Sequence, residues 1–459
     1  MALAAAVTVG AWAARPFPLL LAAALVAGAL SVRQPAVVCI AALVLASGLG
    51  ARSEAGMSPV VRTQLVAAEV TLLADPVPRG PGVTAIGRLG RRHVQLAAYG
   101  RAARSLRARL AGERVVVNGE LDPLRGVTRP RLAARHVSAR VTVASVGDWY
   151  PGNALSGGAN RVRRALIDGA RSMPAQDRAL FTGFVIGDDR DEPADLVDDF
   201  RRSGLSHLTA VSGENVAFVL VAAAPILRRL GLRARWLATI GLVVWFAMLT
   251  RFEPSVLRAA AMAALAATAS FLARPASGRR LLALAITVCT LLDPFLVRSV
   301  GWWLSVGATV GLVLFAAPLA QRLPGPRWLA EPMATTLAAQ LGVAPVTMAV
   351  FGAMPLAALP ANLLAVPAAG PVMVWGLPVG IVAGLVPAPV ARIAHLPTLV
   401  LVRWIEVIAR VGARLPIGQL RAGHVPFLAL GGVIAIYYKR RRRRVTSTGS
   451  VAAMEDEHR

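Results

Sequence analysis

The chain has 459 residues, 56% of them hydrophobic and only 16% charged, with 50 basic residues against 24 acids and a formal net charge of +26. A soluble globular chain carries about 25% charged residues, so this composition argues against an ordinary soluble enzyme. The two cysteines, Cys39 and Cys289, each sit inside an apolar run, which speaks against a disulfide framework or a zinc cluster, and no metal or cofactor is expected. Nearly all the positive charge is arginine, Lys439 being the single lysine. Such an excess fits cytoplasmic loops of a membrane protein and a polyanionic partner, nucleic acid or anionic lipid.

Nearly charge-free stretches recur at Pro16–Val32, Pro35–Gly50, Leu237–Thr250, Leu281–Leu292, Val300–Gln321, Met333–Ala391 and Val425–Tyr438. A helix needs roughly 20 apolar residues to cross hydrocarbon, so these runs predict about nine to eleven membrane segments. In chain order, residues 1–50 predict two apolar helices split at "SVRQP", where Pro35 restarts the second. A second apolar stretch follows the first at once, so both are read as anchors and not as a removed signal.

Residues 51–149 change character. "TQLVAAEVTLLADP", "GVTAIGRLG", "RHVQLAAYG", "ERVVVNGELDPL" and "RHVSARVTVASVGDW" are short β-prone runs separated by Gly, Pro and Asp turns. They predict a small inserted all-β domain, a barrel or a sandwich. The segment holds 16 arginines against 7 acids, a balance of +9. That excess fits either a polyanion-binding surface or a solvated one.

Residues 150–203 read as helical but too polar to span. Arg161, Arg164, Asp168 and Arg171 share one face, with Val162, Leu166 and Met173 largely opposite. This pattern fits an amphipathic helix in the membrane interface or an ordinary solvent-facing helix. "RDEPADLVDDFRRSG" predicts a complete helix that opens at Pro193, carries acids first and arginines last, and stops at Gly204.

Residues 204–438 predict a polytopic membrane domain, and residues 439–459 a basic cytoplasmic tail, because Tyr437 and Tyr438 precede an unbroken basic block, Lys439–Arg444. Polar side chains stand where lipid forbids them, which marks a protein interior or a water-filled path. They form four clusters: Ser206, His207, Thr209, Ser212, Glu214 and Asn215; Arg251, Glu253, Ser255 and Arg258; Ser305 and Thr309; and Gln340 with Asn362. Ser212-Gly213 invites a break in the helix, tolerated only where it lines a cavity. The recurrent Pro and Gly around Gln340 and Asn362 point to broken helices around a pathway.

The stretch "GDDRDEPADLVDDFRRSGLSHLTAVSGENVAF", followed in order by "RAAAM", "DP", "GWWLSVGATVG", "AAQLGVAPVTMAVFG" and "PANLLAVP", resembles the ComEC family of competence DNA channels of the bacterial inner membrane. The resemblance covers about residues 1–440. It implies two early helices, an oligonucleotide-binding (OB)-like barrel outside the membrane and a multi-pass channel in the inner membrane. Single-stranded DNA would pass into the cytoplasm during natural transformation along His207, Ser212, Gly213, Glu214, Asn215, Arg258, Ser305, Gln340 and Asn362.

In the barrel, Arg88, Arg91, Arg92, Arg101, Arg104, Arg107 and Arg109 would engage DNA through phosphate, because the segment offers only Tyr99 and Trp149 for base stacking. Two departures stand out. Glu214 and Asn215 replace a Leu-His pair of many relatives, and no metallo-β-lactamase-like His-x-His-x-Asp-His run follows Arg440. The expected partners are therefore single-stranded DNA, the lipid bilayer, a separate nuclease, a periplasmic DNA receptor and a cytoplasmic ATPase motor.

Glu214 is expected either to pair with Arg251 or Arg258 or to be protonated. One rival from another class is an intramembrane hydrolase with Ser212 as nucleophile and His207 as base. Those two lie five residues apart, so a regular helix would not face them. A small-molecule or ion transporter would use the same broken helices, but inverted repeats, its usual mark, are not evident. The residue pattern points away from an enzyme.

Overall fold

The computed structural model describes residues 1–32, 34–57, 60, 62–124, 132–421 and 423. The apolar run 425–438 and the basic block Lys439–Arg444 lie outside the described residues.

Three helices open the chain, not two: α1 (Ala2–Ala13), α2 (Leu19–Val32) and α3 (Pro35–Ala55). Pro16 and Pro18 fall in the gap between α1 and α2, where a missing N–H and a fixed φ interrupt the apolar run. Gly10 lets α1 lie directly on α3: a Cβ there would stand 2.2 Å from the Leu43 carbonyl oxygen.

A separate sheet region follows. Its strands are β1 (Gln64–Leu72), β2 (Val77–Arg79), β3 (Gly82–Leu89), β4 (Arg92–Tyr99), β5 (Arg114–Pro123) and β6 (Val137–Tyr150), with helix α4 (Gly100–Arg107) between β4 and β5. Their order is β1-β5-β6-β4-β3-β2, and β1 pairs with β3 as well, so five strands pair in a ring. The β4–β6 pairing is parallel and every other pairing within this sheet is antiparallel. Bulges at Val115–Val117 and Asn118–Gly119 bend β5 against β6. Val70, Leu72, Val94, Leu96, Val115, Val117 and Val141 alternate inward and fill the core.

The rest is helical: α5 (Ala154–Gly169), α6 (Ala175–Ile186), α7 (Ala194–Ser203), the single turn α8 (Ser206–Thr209), α9 (Gly213–Leu227), α10 (Leu232–Leu249), α11 (Pro254–Phe271), α12 (Gly278–Leu292), α13 (Val300–Ala320), α14 (Arg327–Phe351), α15 (Ala358–Ala383), α16 (Ala388–Ala394) and α17 (Leu396–Arg414). Short strands β7 (Ala353–Pro355) and β8 (Gln419–Arg421) pair with each other. Among the described residues, six helices are long and apolar enough to cross a membrane: α3, α10, α11, α13, α14 and α15. The nine to eleven segments expected from composition exceed this number because several apolar runs fold as shorter helices, such as α1, α9 and α12.

The main core lies where α5, α6, α7, α9, α10, α15 and α17 meet. Within the 150–203 segment, Arg161 and Arg164 of α5 are exposed as the spacing suggests, but α6 is buried from Ala179 to Ile186. Gly169 lies so close to α15 that a Cβ would stand 2.1 Å from the Gly380 carbonyl oxygen. Helix α7 has the ends its sequence signals: Pro193 at its N-terminal boundary, Arg201 and Arg202 in the last turn and Gly204 left-handed at φ 76°.

A buried ionic network ties the sheet region to the helices. Arg163, on α5, is 1% exposed. Its Nη1 donates to the carbonyls of Ile186 at 2.7 Å and Leu249 at 3.0 Å, and its Nη2 lies 2.7 Å from Asp75 Oδ2, beyond β1. Arg251 donates through Nη2 to Asp75 Oδ1 at 2.8 Å and to Asn160 Oδ1 at 2.8 Å. It reaches both from left-handed backbone at Arg251 and Phe252, φ 61° and 54°, which such residues normally avoid. Asn160 in turn donates to the Ala111 carbonyl, and the Ala111 amide donates to Asp75. Burial alone would raise the Asp75 carboxyl, but Arg163, Arg251 and the Ala111 amide outweigh it and hold it at about 2.

Breaking a buried pair by removing one partner is strongly destabilising, because the other charge is left uncompensated. Arg163→Met should therefore remove about 3–5 kcal/mol, seen as a large drop in the melting temperature of the full chain in detergent; an unchanged melting temperature would contradict the network. Asp75 has a folded value of about 2, below its unfolded value of about 3.9. Its contribution is complete above the unfolded value and is lost as pH falls through the folded one. The wild-type melting temperature should accordingly fall more steeply between about pH 4 and 2 than that of Asp75→Asn.

Candidate functional site

The helix break falls where Ser212-Gly213 predicts it. Helix α8 ends at Thr209, Ala210 is extended, and α9 begins at Gly213. Ser212 caps α9: its hydroxyl accepts from the Glu214 amide at 3.2 Å and donates to Asn215 Oδ1 at 3.2 Å. Asn215 donates from Nδ2 to the Phe184 carbonyl at 2.9 Å, which fixes α9 to α6. From α11, the Ser255 hydroxyl donates to the Val211 carbonyl at 2.8 Å, so the freed backbone of the break finds a partner.

Gly213 is required by close approach. A Cβ there would stand 2.4 Å from Arg258 Nη2, 3.0 Å from Ala259 Cβ and 3.1 Å from the Ser255 carbonyl oxygen. Arg258 is buried on α11 and donates from Nε to Ser305 Oγ of α13 at 2.8 Å. Three elements thus converge at the break: the start of α9, the first turns of α11 and the second turn of α13.

The sequence-derived residues divide. Ser212, Gly213, Asn215, Arg258 and Ser305 lie together, while His207 and Glu214 are exposed beside the break. Neither arginine pairs with Glu214: Arg251 is committed to Asp75 and Asn160, and Arg258 to Ser305. The other two make no hydrogen bond to this group. Gln340, on α14, has a buried Nε2 without a partner among the described residues, and Asn362 donates to the Ala358 carbonyl one turn back in α15. No hydrogen bond joins Ser212 to His207 among the described residues, since the Ser212 hydroxyl serves as a cap.

Sequence reasoning missed Arg163 and Asp75. A signal for Arg163 existed: Ala159, Arg163, Leu166 and Ala170 follow helical spacing, so this arginine stands within the apolar stripe of α5. Nothing in "LLADP" marks Asp75 as a buried anchor.

On the sheet region, Arg88, Arg91 and Arg92 flank the β3–β4 turn and are exposed. Arg101, Arg104 and Arg107 are exposed on α4, which starts at the opposite end of β4. Arg107 also reaches Asp191 at 2.5 Å, a second link to the helices. Arg109 stacks over Trp149 at 4.5 Å and Arg114 over Tyr150 at 5.5 Å. Tyr150 thus joins the exposed Tyr99 and Trp149 as an aromatic surface residue.

In the loop between α6 and α7, burial first, then Asp189 and Asp188, pushes the Glu192 carboxyl up to about 8. One of its oxygens is buried beside Gly183 without a partner among the described residues.

The family model described as "Competence protein" matches residues 184–442. The chain is 28% identical over 212 residues to "Uncharacterized protein YcaI" of Escherichia coli (strain K12), covering 42% of this chain and 28% of that protein. It is 27% identical over 210 residues to "ComE operon protein 3" of Bacillus subtilis (strain 168), covering 45% of this chain and 26% of that protein. The chain therefore spans about a quarter of the length of these curated relatives. No solved structure matches. The matched segment takes in more than half of the chain and includes the break, Arg258 and Ser305, and on that ground the chain belongs to the competence protein family.

Proposed function

We propose that the chain is an inner-membrane channel that moves single-stranded DNA into the cytoplasm during natural transformation. The observation that carries this reading is an interrupted helix, with polar groups converging on it from three elements, inside the competence-family segment and among apolar helices. Polar, broken backbone at such depth is tolerated where it lines a wet path. A polyanion needs such a path, because its charges cannot cross hydrocarbon unaided.

In this reading His207, Ser212, Gly213 and Glu214 border the path, Arg258 and Ser305 stand at its wall, and Gln340 and Asn362 belong to the same lining from α14 and α15. Asn215 holds the break in shape through its bond to Phe184. The sheet region acts as an OB-like barrel; the ring of pairings β1-β5-β6-β4-β3, with α4 inserted between β4 and β5, supports that assignment. Its arginines on α4 and at the β3–β4 turn engage phosphate, and Tyr99, Trp149 and Tyr150 offer stacking faces. The partners this reading calls for are a separate nuclease that removes one strand, a periplasmic DNA receptor and a cytoplasmic ATPase motor.

Two outcomes test the reading. A strain deleted for this chain should lose entry of labelled DNA into the cytoplasm while still binding DNA at its surface, and a copy of the gene should restore entry; undiminished entry in the deletion strain would contradict the channel. Binding of single-stranded DNA to the full chain in detergent should weaken as salt rises. Arg101→Gln and Arg104→Gln should each flatten the slope of log affinity against log salt by about 0.7, and an unchanged slope in the double variant would remove α4 from the interface.

A further inference from the structure

Six charged side chains are buried among the described residues: Glu113, Arg163, Asp177, Asp188, Arg258 and Glu406. Five of them face an opposite charge. Glu113 has Arg164, Arg163 has Asp75, Asp177 has Arg403, Asp188 has Arg190 and Glu406 has Arg410. Arg258 stands apart: among the described residues no carboxylate lies within ion-pair reach of it. A buried cation without a counter-charge is strongly unfavourable, more so in an apolar helical body, and intramembrane charges usually mark a substrate or ion pathway.

The guanidinium is also under-used as a donor. It is 8% exposed. Its Nε donates to Ser305 Oγ at 2.8 Å, which fixes the plane of the fork. Its Nη1 reaches only the Met262 thioether sulfur at 3.3 Å, a weak acceptor. Nη2 lies against Gly213 and has no acceptor among the described residues. An arginine carries five N–H donors in a fixed fork that matches the oxygens of a phosphate. The unaccepted Nη2 edge of this fork packs against Gly213, the first residue of α9, a helix of 15 residues whose positive dipole end adds to the local potential.

We infer that Arg258 is a docking point for the backbone phosphodiesters of the translocated strand, taken one at a time, with the strand supplying the counter-charge the protein withholds. The inference rests on the channel reading above and assigns a ligand chemistry to one of its wall residues. Ser305 is then a positioning residue, because it holds the fork with its free edge toward the break. A docking point that reads only phosphate is indifferent to base sequence. Its grip is transient because only one phosphate at a time can occupy the fork, so the strand can move on.

The test uses cells whose only copy of the full chain is wild type, Arg258→Gln, Arg258→Lys or Arg258→Met, and two labelled DNA fragments. One fragment has ordinary phosphodiester linkages; the other carries in both strands an internal run of uncharged methylphosphonate linkages. Wild-type cells should take up the ordinary fragment and admit the modified one at least about tenfold less well, since each passage loses charge-assisted bonds. Arg258→Gln should lower uptake of the ordinary fragment by a similar factor, and Arg258→Lys, which keeps the charge but not the fork, should fall between. The purified Arg258→Met chain should melt at the wild-type temperature or above it, because an unpaired buried charge has been removed; a lower melting temperature would make Arg258 a packing residue and overturn the docking point. Normal uptake by Arg258→Gln, or equal entry of both fragments into wild-type cells, would also overturn it while leaving the channel standing. Equal entry would assign the counter-charge to another phosphate source, such as a lipid headgroup. Wild-type cells that admit neither fragment would remove the channel reading and the docking point with it.

Discussion

Charge buried in an apolar helical body must be answered by charge, and Arg163 is where this chain meets that constraint. Its guanidinium lies at the junction of α5, the end of α6 and the end of α10, and its answering carboxylate comes from the sheet region. Neither part is complete alone: without Asp75, Arg251 loses its carboxylate and Arg163 keeps only Asp188 at 3.7 Å, and without Arg163 and Arg251 the loop after β1 holds an unpaired anion. Further contacts cross between the two parts: Arg164 pairs with Glu113, Arg107 pairs at the surface with Asp191, and His136 shares a hydrogen bond with Asp293 at 3.0 Å. The sheet region is therefore built as a fixed part of the body. In the channel reading, a strand engaged by that region is presented at a constant position.

That fixed frame has consequences at the break. Arg251 is drawn to Asp75 from left-handed backbone just before α11, and α11 carries Ser255 and Arg258 to the Ser212-Gly213 interruption. One segment of chain thus links the interdomain lock to the polar wall of the break. Small residues make the convergence possible: Gly213 admits the Arg258 fork, and Gly307, Gly311 and Gly342 let α13 and α14 touch backbone to backbone.

Much of this was legible in the sequence wherever the signal was local. The caps of α7, the break at Ser212-Gly213, the strand-rich insert and the family resemblance all depend on neighbouring residues or on ordered motifs. What stayed hidden depends on partners far apart in the chain. Glu214 looked like a mate for Arg251 or Arg258, but Arg251 is claimed by Asp75, 176 positions away. Among the described residues fewer helices reach spanning length than composition suggested, because composition cannot say where a helix stops: α12 ends at Leu292 after 15 residues.

The account turns on the claim that the break is wet and lies on the route of the strand. Single cysteines at positions 207 and 214, in a chain whose Cys39 and Cys289 are replaced, test it in intact cells, with cysteines at the exposed apolar positions 221 and 226 of α9 as lipid-facing controls. The account predicts that positions 207 and 214 react with a membrane-impermeant thiol reagent, that added DNA slows the reaction, and that positions 221 and 226 stay unmodified. Unreactive cysteines at both positions, or labelling that DNA leaves unchanged, would contradict it and make the break a device of helix packing.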